Sequence, residues 1–230
     1  MLEWKEALLL DMNSTFMFGE DRFGSDEDFS KYYRSIGGEL SNNYVNELIR
    51  YSYDYLDKKY PTEKYRHCFP SLEEAIVKCS SIDISESEIE KIIETFSFHE
   101  HGEISESYVT ALRALKERFT LTLVIDIWAP KSMWVNTFKA LGIWELISAH
   151  SFSSDHGMVK PSPKPFEMVV TRLGIPKERC LVVGDSIRRD LGGAQAAGID
   201  CILVGDAKSE LAVGSYPTLI AFQKQVQSST

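Results

Sequence analysis

The chain has 230 residues, 43% of them hydrophobic, enough for one sizeable core and a second, smaller one. Asp and Glu total 34 against 25 for Lys and Arg, a formal net charge of −9. That acidic balance, with no long block of like charge, argues against a nucleic-acid duplex or an anionic membrane as a partner.

The N-terminal stretch MLEWKEALLLD places acidic residues ahead of a short apolar run, the wrong flank and the wrong length for a signal peptide. No apolar segment approaches the ~20 residues that span a bilayer. The four cysteines, Cys68, Cys79, Cys180 and Cys201, form no C-x-x-C pair and read as structural thiols in a reducing cytosol, so a cytoplasmic location is expected.

In chain order, the first apolar run is ALLLD (7–11). From about 20 to 105 the chain turns acidic and tyrosine-rich and carries helical spacing in DEDFSKYYRSIG, NNYVNELIRYSYDYLDKKY, PSLEEAIVKCSS and SESEIEKIIETFSF. Ser71 and Ser85 are N-cap candidates, with Glu74 and Glu88 three residues on. The five tyrosines of 44–60 read as packing residues, with room for one or two to line a cleft. HEHG (99–102) reads as a solvated hinge, because no third metal ligand stands at a recognisable spacing.

Strand-like runs then recur at LTLVID (121–126), LISAHSF (146–152), CLVVGD (180–185) and CILVGD (201–206). Helical patterns occupy 105–119, 132–143, 164–175 and 187–199, two of them closing on a glycine suited to a helix C-terminus and the last loosened by Gly192 and Gly193. His156 and Gly157 read as a turn. The alternation predicts a doubly wound α/β domain with a parallel sheet, split by an all-helical insertion after its first strand.

In such sheets ligands bind beyond the carboxyl ends of the strands. Asp11, Asp126 and Asp185 each end a strand, Asp190 follows five residues after Asp185, and Lys160 lies past the third strand in GMVKPSPKPF. Carboxylates gathered at one edge repel each other unless a cation sits among them, and Mg²⁺ is the natural candidate.

These residues resemble the loop motifs of the haloacid dehalogenase-like hydrolase superfamily. DMNST (11–15) matches the first motif, Lys160 in VKPSPKPF the third and GDSIRRD (184–190) the fourth. The resemblance covers about 1–18 and 108–215. It implies an α/β core of 1–18 and 108–230 and a helical cap of the C1 type at 19–107. It further implies a hydrolase of small phosphorylated molecules in which Asp11 is the nucleophile and an Mg²⁺ ligand. Position 13 would give the metal a backbone carbonyl and Asp185 a second carboxylate. Lys160 would offset the charge of the nucleophile and the phosphoryl group, and Asp190 would orient Lys160 or a water.

Two positions depart from the family pattern. Asn13 stands where phosphatases of the superfamily carry an aspartate acid-base, and a carboxamide delivers no proton. The second motif normally supplies Ser or Thr for phosphate binding, and in LVIDIWAP either Ile125 or Asp126 takes that place. The segment FGEDRFG (18–24) corresponds to the flap that gates the site, which makes Glu20, Asp21 and Arg22 candidates to meet substrate, Arg22 as a phosphate ligand. Two readings follow: an Mg²⁺-dependent phosphatase whose substrate has a good leaving group or supplies its own acid, or a catalytically impaired relative that binds a ligand or partner.

Overall fold

The computed structural model describes residues 2–228. Five of its strands coincide with the apolar runs: β1 (Ala7–Leu10), β2 (Thr120–Ile125), β3 (Ile147–Phe152), β4 (Cys180–Gly184) and β5 (Asp200–Val204). A short sixth strand, β6 (Gly214–Tyr216), has no apolar run to announce it. All pair in parallel, in the order β3-β2-β1-β4-β5-β6. β1 and β4 are buried at every position, as strands covered on both faces must be.

The chain steps outward from β1 to β3 and then returns to lay β4 on the other side of β1, so the sheet changes direction between β1 and β4. Leu10 is in register with Val183, and the Asp11 N–H continues that ladder to the Val183 carbonyl at 2.9 Å. Asp11 and Asp185 therefore leave neighbouring strands at the switch point, where the two loops diverge and leave a crevice.

Between Phe18 and Glu103, which pair antiparallel, the insertion folds as α1 (Ser30–Ser35), α2 (Asn42–Asp57), α3 (Leu72–Cys79) and α4 (Glu86–Glu100). Ser71 forms a complete capping box with Glu74 at the start of α3. Ser85 caps α4 through the Glu88 N–H, but the Glu88 carboxylate is drawn to the Tyr33 hydroxyl, Lys91 and the Glu39 N–H instead of closing a box. After the insertion come α5 (Glu106–Lys116), α6 (Ser132–Ala140), α7 (Ser153–His156), α8 (Lys164–Leu173), α9 (Gly192–Ala197) and α10 (Leu219–Ser228), with a π-helical turn at Ile187–Leu191 leading into α9.

One face of the sheet, with Leu8, Leu10, Leu123, Ile125 and Val183, belongs to an apolar cluster that continues into the insertion through Phe96, Phe29, Val45 and Ile76. Half-buried Trp128 packs against it and meets the rings of Tyr53, Tyr60, Phe69 and Phe96. The opposite face packs Leu9, Val124, Val182 and Leu203 against Phe166 and Val169 of α8 and Ala194 of α9. Gly193 is a packing position, not a point of looseness. A Cβ there would lie 2.5 Å from the Phe166 ring.

The HEHG stretch is not the solvated hinge its polarity predicts. His99 and Glu100 are buried, His99 holding the Thr95 carbonyl through Nδ1 and Glu27 through Nε2. Glu100 accepts the N–H groups of Trp128 at 2.6 Å and Ala129 at 2.9 Å, tying α4 to the loop after β2. Two backbone donors left open by that loop explain why a polar stretch goes inside.

Burial, then the charge of Asp21, pushes the Glu100 carboxyl up to about 8. A carboxyl raised in the folded state binds more protons folded than unfolded between its unfolded and folded values. Its share of stability is therefore full at low pH and is lost as pH rises from about 4.3 toward 8, by at most about 1.4 kcal/mol per pH unit. Denaturant titrations of wild type and Glu100→Gln from pH 5 to pH 8.5 are expected to converge or cross with rising pH. Parallel curves would mean that Glu100 stays ionised throughout.

Among the described residues no helix is long and apolar enough to cross a membrane. All four cysteines carry free thiols.

Candidate active site

The turn after β1 is built by the Thr15, Phe16 and Met17 N–H groups, which all point to the Met12 carbonyl, with Ser14 at φ 55°. This folds the chain back so that Thr15 Oγ1 lies 3.5 Å from Asp11 Oδ2 and the Asp11 carboxylate faces the crevice. Lys160 reaches the same point from the segment after α7. Its Nζ sits 2.5 Å from Asp11 Oδ1 and 2.7 Å from Asp190 Oδ1, and all three residues are buried.

Asp190 is fixed by its own loop, its Oδ2 accepting the Ser186 N–H at 3.0 Å. The glycine of the GDSIRRD motif makes room for it. A Cβ on Gly184 would stand 2.3 Å from Asp190 Cγ. Ligand atoms of Asp11, Asp185 and Asp190 lie within 4.8 Å of one another. Thus four sequence candidates, Asp11, Lys160, Asp185 and Asp190, meet at one point.

Asn13 stands on the same turn, with its side-chain oxygen buried and without a hydrogen-bond partner. The second-motif alternatives separate cleanly. Ile125 ends β2 inside the apolar cluster, while Asp126 turns its Oδ2 to the Lys160 N–H at 2.9 Å and to the Tyr60 hydroxyl at 2.6 Å. Asp126 thus anchors the lysine's backbone and joins the helical insertion to the sheet.

Arg22 is not brought to this group. Its guanidinium donates to the Phe98 carbonyl and lies over the Phe98 ring, because the segment after Phe18 runs along α4, with the Arg22 N–H on the His99 carbonyl. The arginine facing the acids is Arg189, whose Nη2 is 3.6 Å from Asp185 Oδ1. Arg189 and Tyr60 are the members that sequence reasoning missed. Arg189 had a signal, the i, i+4 spacing from Asp185 inside a motif already singled out. Tyr60 had none beyond its place at the end of the tyrosine-rich stretch 44–60, in the turn that follows α2.

The electrostatics follow from burial and crowding. Burial and the neighbouring Asp190 push the Asp11 carboxyl up to about 7, against the pull of Lys160. Burial and Asp190 also raise Asp185, and burial raises Asp126. Burial disfavours the Lys160 ammonium, yet Asp11, Asp190 and Asp126 together hold it well above the ordinary lysine range. Burial likewise works against the Arg189 charge, but Tyr60, Asp11, Asp190 and Asp185 hold it firmly protonated. The group is short of positive charge: four carboxylates face one ammonium and one guanidinium.

A doubly wound parallel sheet with a buried carboxylate–lysine centre at its switch point defines a Rossmann-like α/β protein whose candidate site lies at the carboxyl ends of its strands. The family model for haloacid dehalogenase-like hydrolases matches residues 5–198, and the chain belongs to that family. A pyrophosphatase of Halalkalibacterium halodurans is 27% identical over 186 residues, which cover 75% of this chain and 81% of the relative. A glyceraldehyde 3-phosphate phosphatase of Methanopyrus kandleri is 34% identical over 68 residues, about 30% of each chain. Among solved structures, a phosphatase of the same superfamily from Thermococcus onnurineus superposes with a TM-score of 0.63 at 19% identity, covering 96% of this chain and 97% of its own. A 2-haloacid dehalogenase from Pseudomonas syringae gives 0.67 at 20%, covering 98% and 100%. At these identities the structures establish a shared fold.

Proposed function

We propose that this hydrolase is an Mg²⁺-dependent phosphatase of a small phosphorylated metabolite that works through an aspartyl-phosphate on Asp11. The observation that carries the reading is the buried Asp11–Lys160–Asp190 group with Asp185 beside it. Asp185 Oδ1 is buried and accepts no hydrogen bond, with only Arg189 at 3.6 Å, and the donor set is all oxygen. Such a set, short of positive charge, fits a hard divalent cation held by Asp11, Asp185 and the Asn13 carbonyl. When bound, Mg²⁺ would neutralise charge on the phosphoryl oxygens.

Asp11 attacks phosphorus, the bond to the leaving oxygen breaks, and water later hydrolyses the acyl phosphate. Lys160 offsets the charge of the nucleophile and the arriving phosphoryl group, held in place by Asp190 and, through its backbone, by Asp126. Asn13 offers its carboxamide as a hydrogen-bond donor but no proton, so the leaving group must already be a weak base. Acyl phosphates and phosphoric anhydrides meet that requirement, and likeness to a protein named a pyrophosphatase supports the anhydride class. In this reading 1–18 and 108–230 form the catalytic core, and 19–107 is the cap that closes it through Tyr60.

The test is hydrolysis with Mg²⁺ of a panel of acetyl phosphate, pyrophosphate, sugar phosphates, nucleotides and p-nitrophenyl phosphate. Acetyl phosphate and pyrophosphate are expected to lead. Asn13→Asp is expected to raise turnover of alkyl esters by about 10²- to 10⁴-fold, the usual worth of general acid–base help. No turnover by either protein, with Mg²⁺ still bound, would favour an impaired relative that uses the fold to bind a ligand.

A further inference from the structure

Resting on the phosphatase reading, we infer that Arg189 grips the phosphoryl oxygens of the substrate, in place of the hydroxyl that the loop after β2 lacks. Three observations converge on it. Ile125 is in the core and Asp126 is turned to Lys160 and Tyr60, so that loop offers no side-chain hydroxyl to an anion. The Lys160 ammonium already holds Asp11 and Asp190, and Arg22 lies against Phe98. The Arg189 guanidinium, by contrast, makes no hydrogen bond to any described residue. Its nearest carboxylate oxygen, on Asp185, is 3.6 Å away.

The position is built, not incidental. The Arg189 N–H is bound to Ser186 Oγ at 3.2 Å within the π-helical turn, and the side chain is only 32% exposed, beside the acids of the site. A guanidinium carries five donors in a planar fork that matches two phosphoryl oxygens at once. Asp185 Oδ1, the oxygen nearest Arg189, is also the one open to a divalent cation, so cation binding removes the carboxylate's hold on the guanidinium and leaves it to the substrate. Arg188 has no such place. It is exposed, over the Tyr60 ring.

The experiment compares wild type, Arg189→Gln, Arg189→Lys and Arg188→Gln for product inhibition by inorganic phosphate, KM and kcat on acetyl phosphate, and Mg²⁺ affinity by calorimetry. Losing a charge-assisted contact is expected to raise the phosphate inhibition constant and KM by about 10- to 100-fold in Arg189→Gln. Lysine is expected to recover part of that loss, Arg188→Gln to match wild type, and Mg²⁺ affinity in Arg189→Gln to hold or tighten. Unchanged phosphate inhibition in an active Arg189→Gln enzyme would overturn the assignment alone, as would an equal effect from Arg188→Gln or loss of Mg²⁺ binding with Arg189→Gln. A wild type that neither hydrolyses the panel nor binds phosphate would overturn the phosphatase reading and the assignment with it.

Discussion

Asp11→Asn is expected to abolish phosphoryl hydrolysis, by about 10⁴-fold or more, while leaving the protein folded. The carboxylate lies on the end of a central buried strand, 2.5 Å from Lys160, and a carboxamide of the same shape is not a nucleophile toward phosphorus. The fold should tolerate the change, because Asp11 and Asp190 share a single ammonium and the variant removes one of two crowded acids. Its melting temperature without metal is therefore expected to equal or exceed that of wild type. Turnover above about 1% of wild type, after exclusion of deamidation by mass spectrometry, would mean that another group attacks.

Lys160→Met is expected to fail in both respects. Removing the ammonium leaves Asp11 and Asp190 buried with no cation between them, and breaking a buried pair in this way typically costs about 3–5 kcal/mol. The sign with pH follows from the carboxyls. Asp11, already pushed up by burial and by its neighbour Asp190, loses the ammonium that pulls it down, so the variant holds an extra proton when folded and loses stability as pH rises from about 4 through neutrality. Denaturant midpoints at pH 5 and pH 7.5 should therefore show a larger deficit at the higher pH, and saturating Mg²⁺ should recover part of it. Activity should fall with the electrostatic stabilisation, and a variant as stable as wild type at pH 7.5 would mean that the two carboxylates find another partner.

Much of this molecule was legible in the sequence because its signals are local. Unbroken apolar runs at 7–10 and 180–184 require strands covered on both faces, and Gly174, at φ 63°, closes α8 where the helical pattern ends. Asp11, Lys160, Asp185 and Asp190 were found because each stands at a fixed offset from a strand end or within a short loop. The strand β6 escaped because a three-residue edge strand with one exposed side chain has no periodicity to read. HEHG misled because its polarity is satisfied by partners distant in sequence, Glu27 and the N–H groups of Trp128 and Ala129.

The sequence by itself determined the doubly wound sheet, the helical insertion and the identity of the acid–lysine set, since alternating runs and loop offsets encode them within a few residues. Only the tertiary structure decided which second-motif residue faces the site, which arginine stands beside it and which tyrosine closes on it. Those three choices depend on how chain segments as far apart as Tyr60, Asp126 and Arg189 are brought together by packing across the sheet edge. A one-residue difference in strand register separates Ile125 in the core from Asp126 at the crevice, and that difference is fixed by the pairing of β2 with its neighbours, not by the local run.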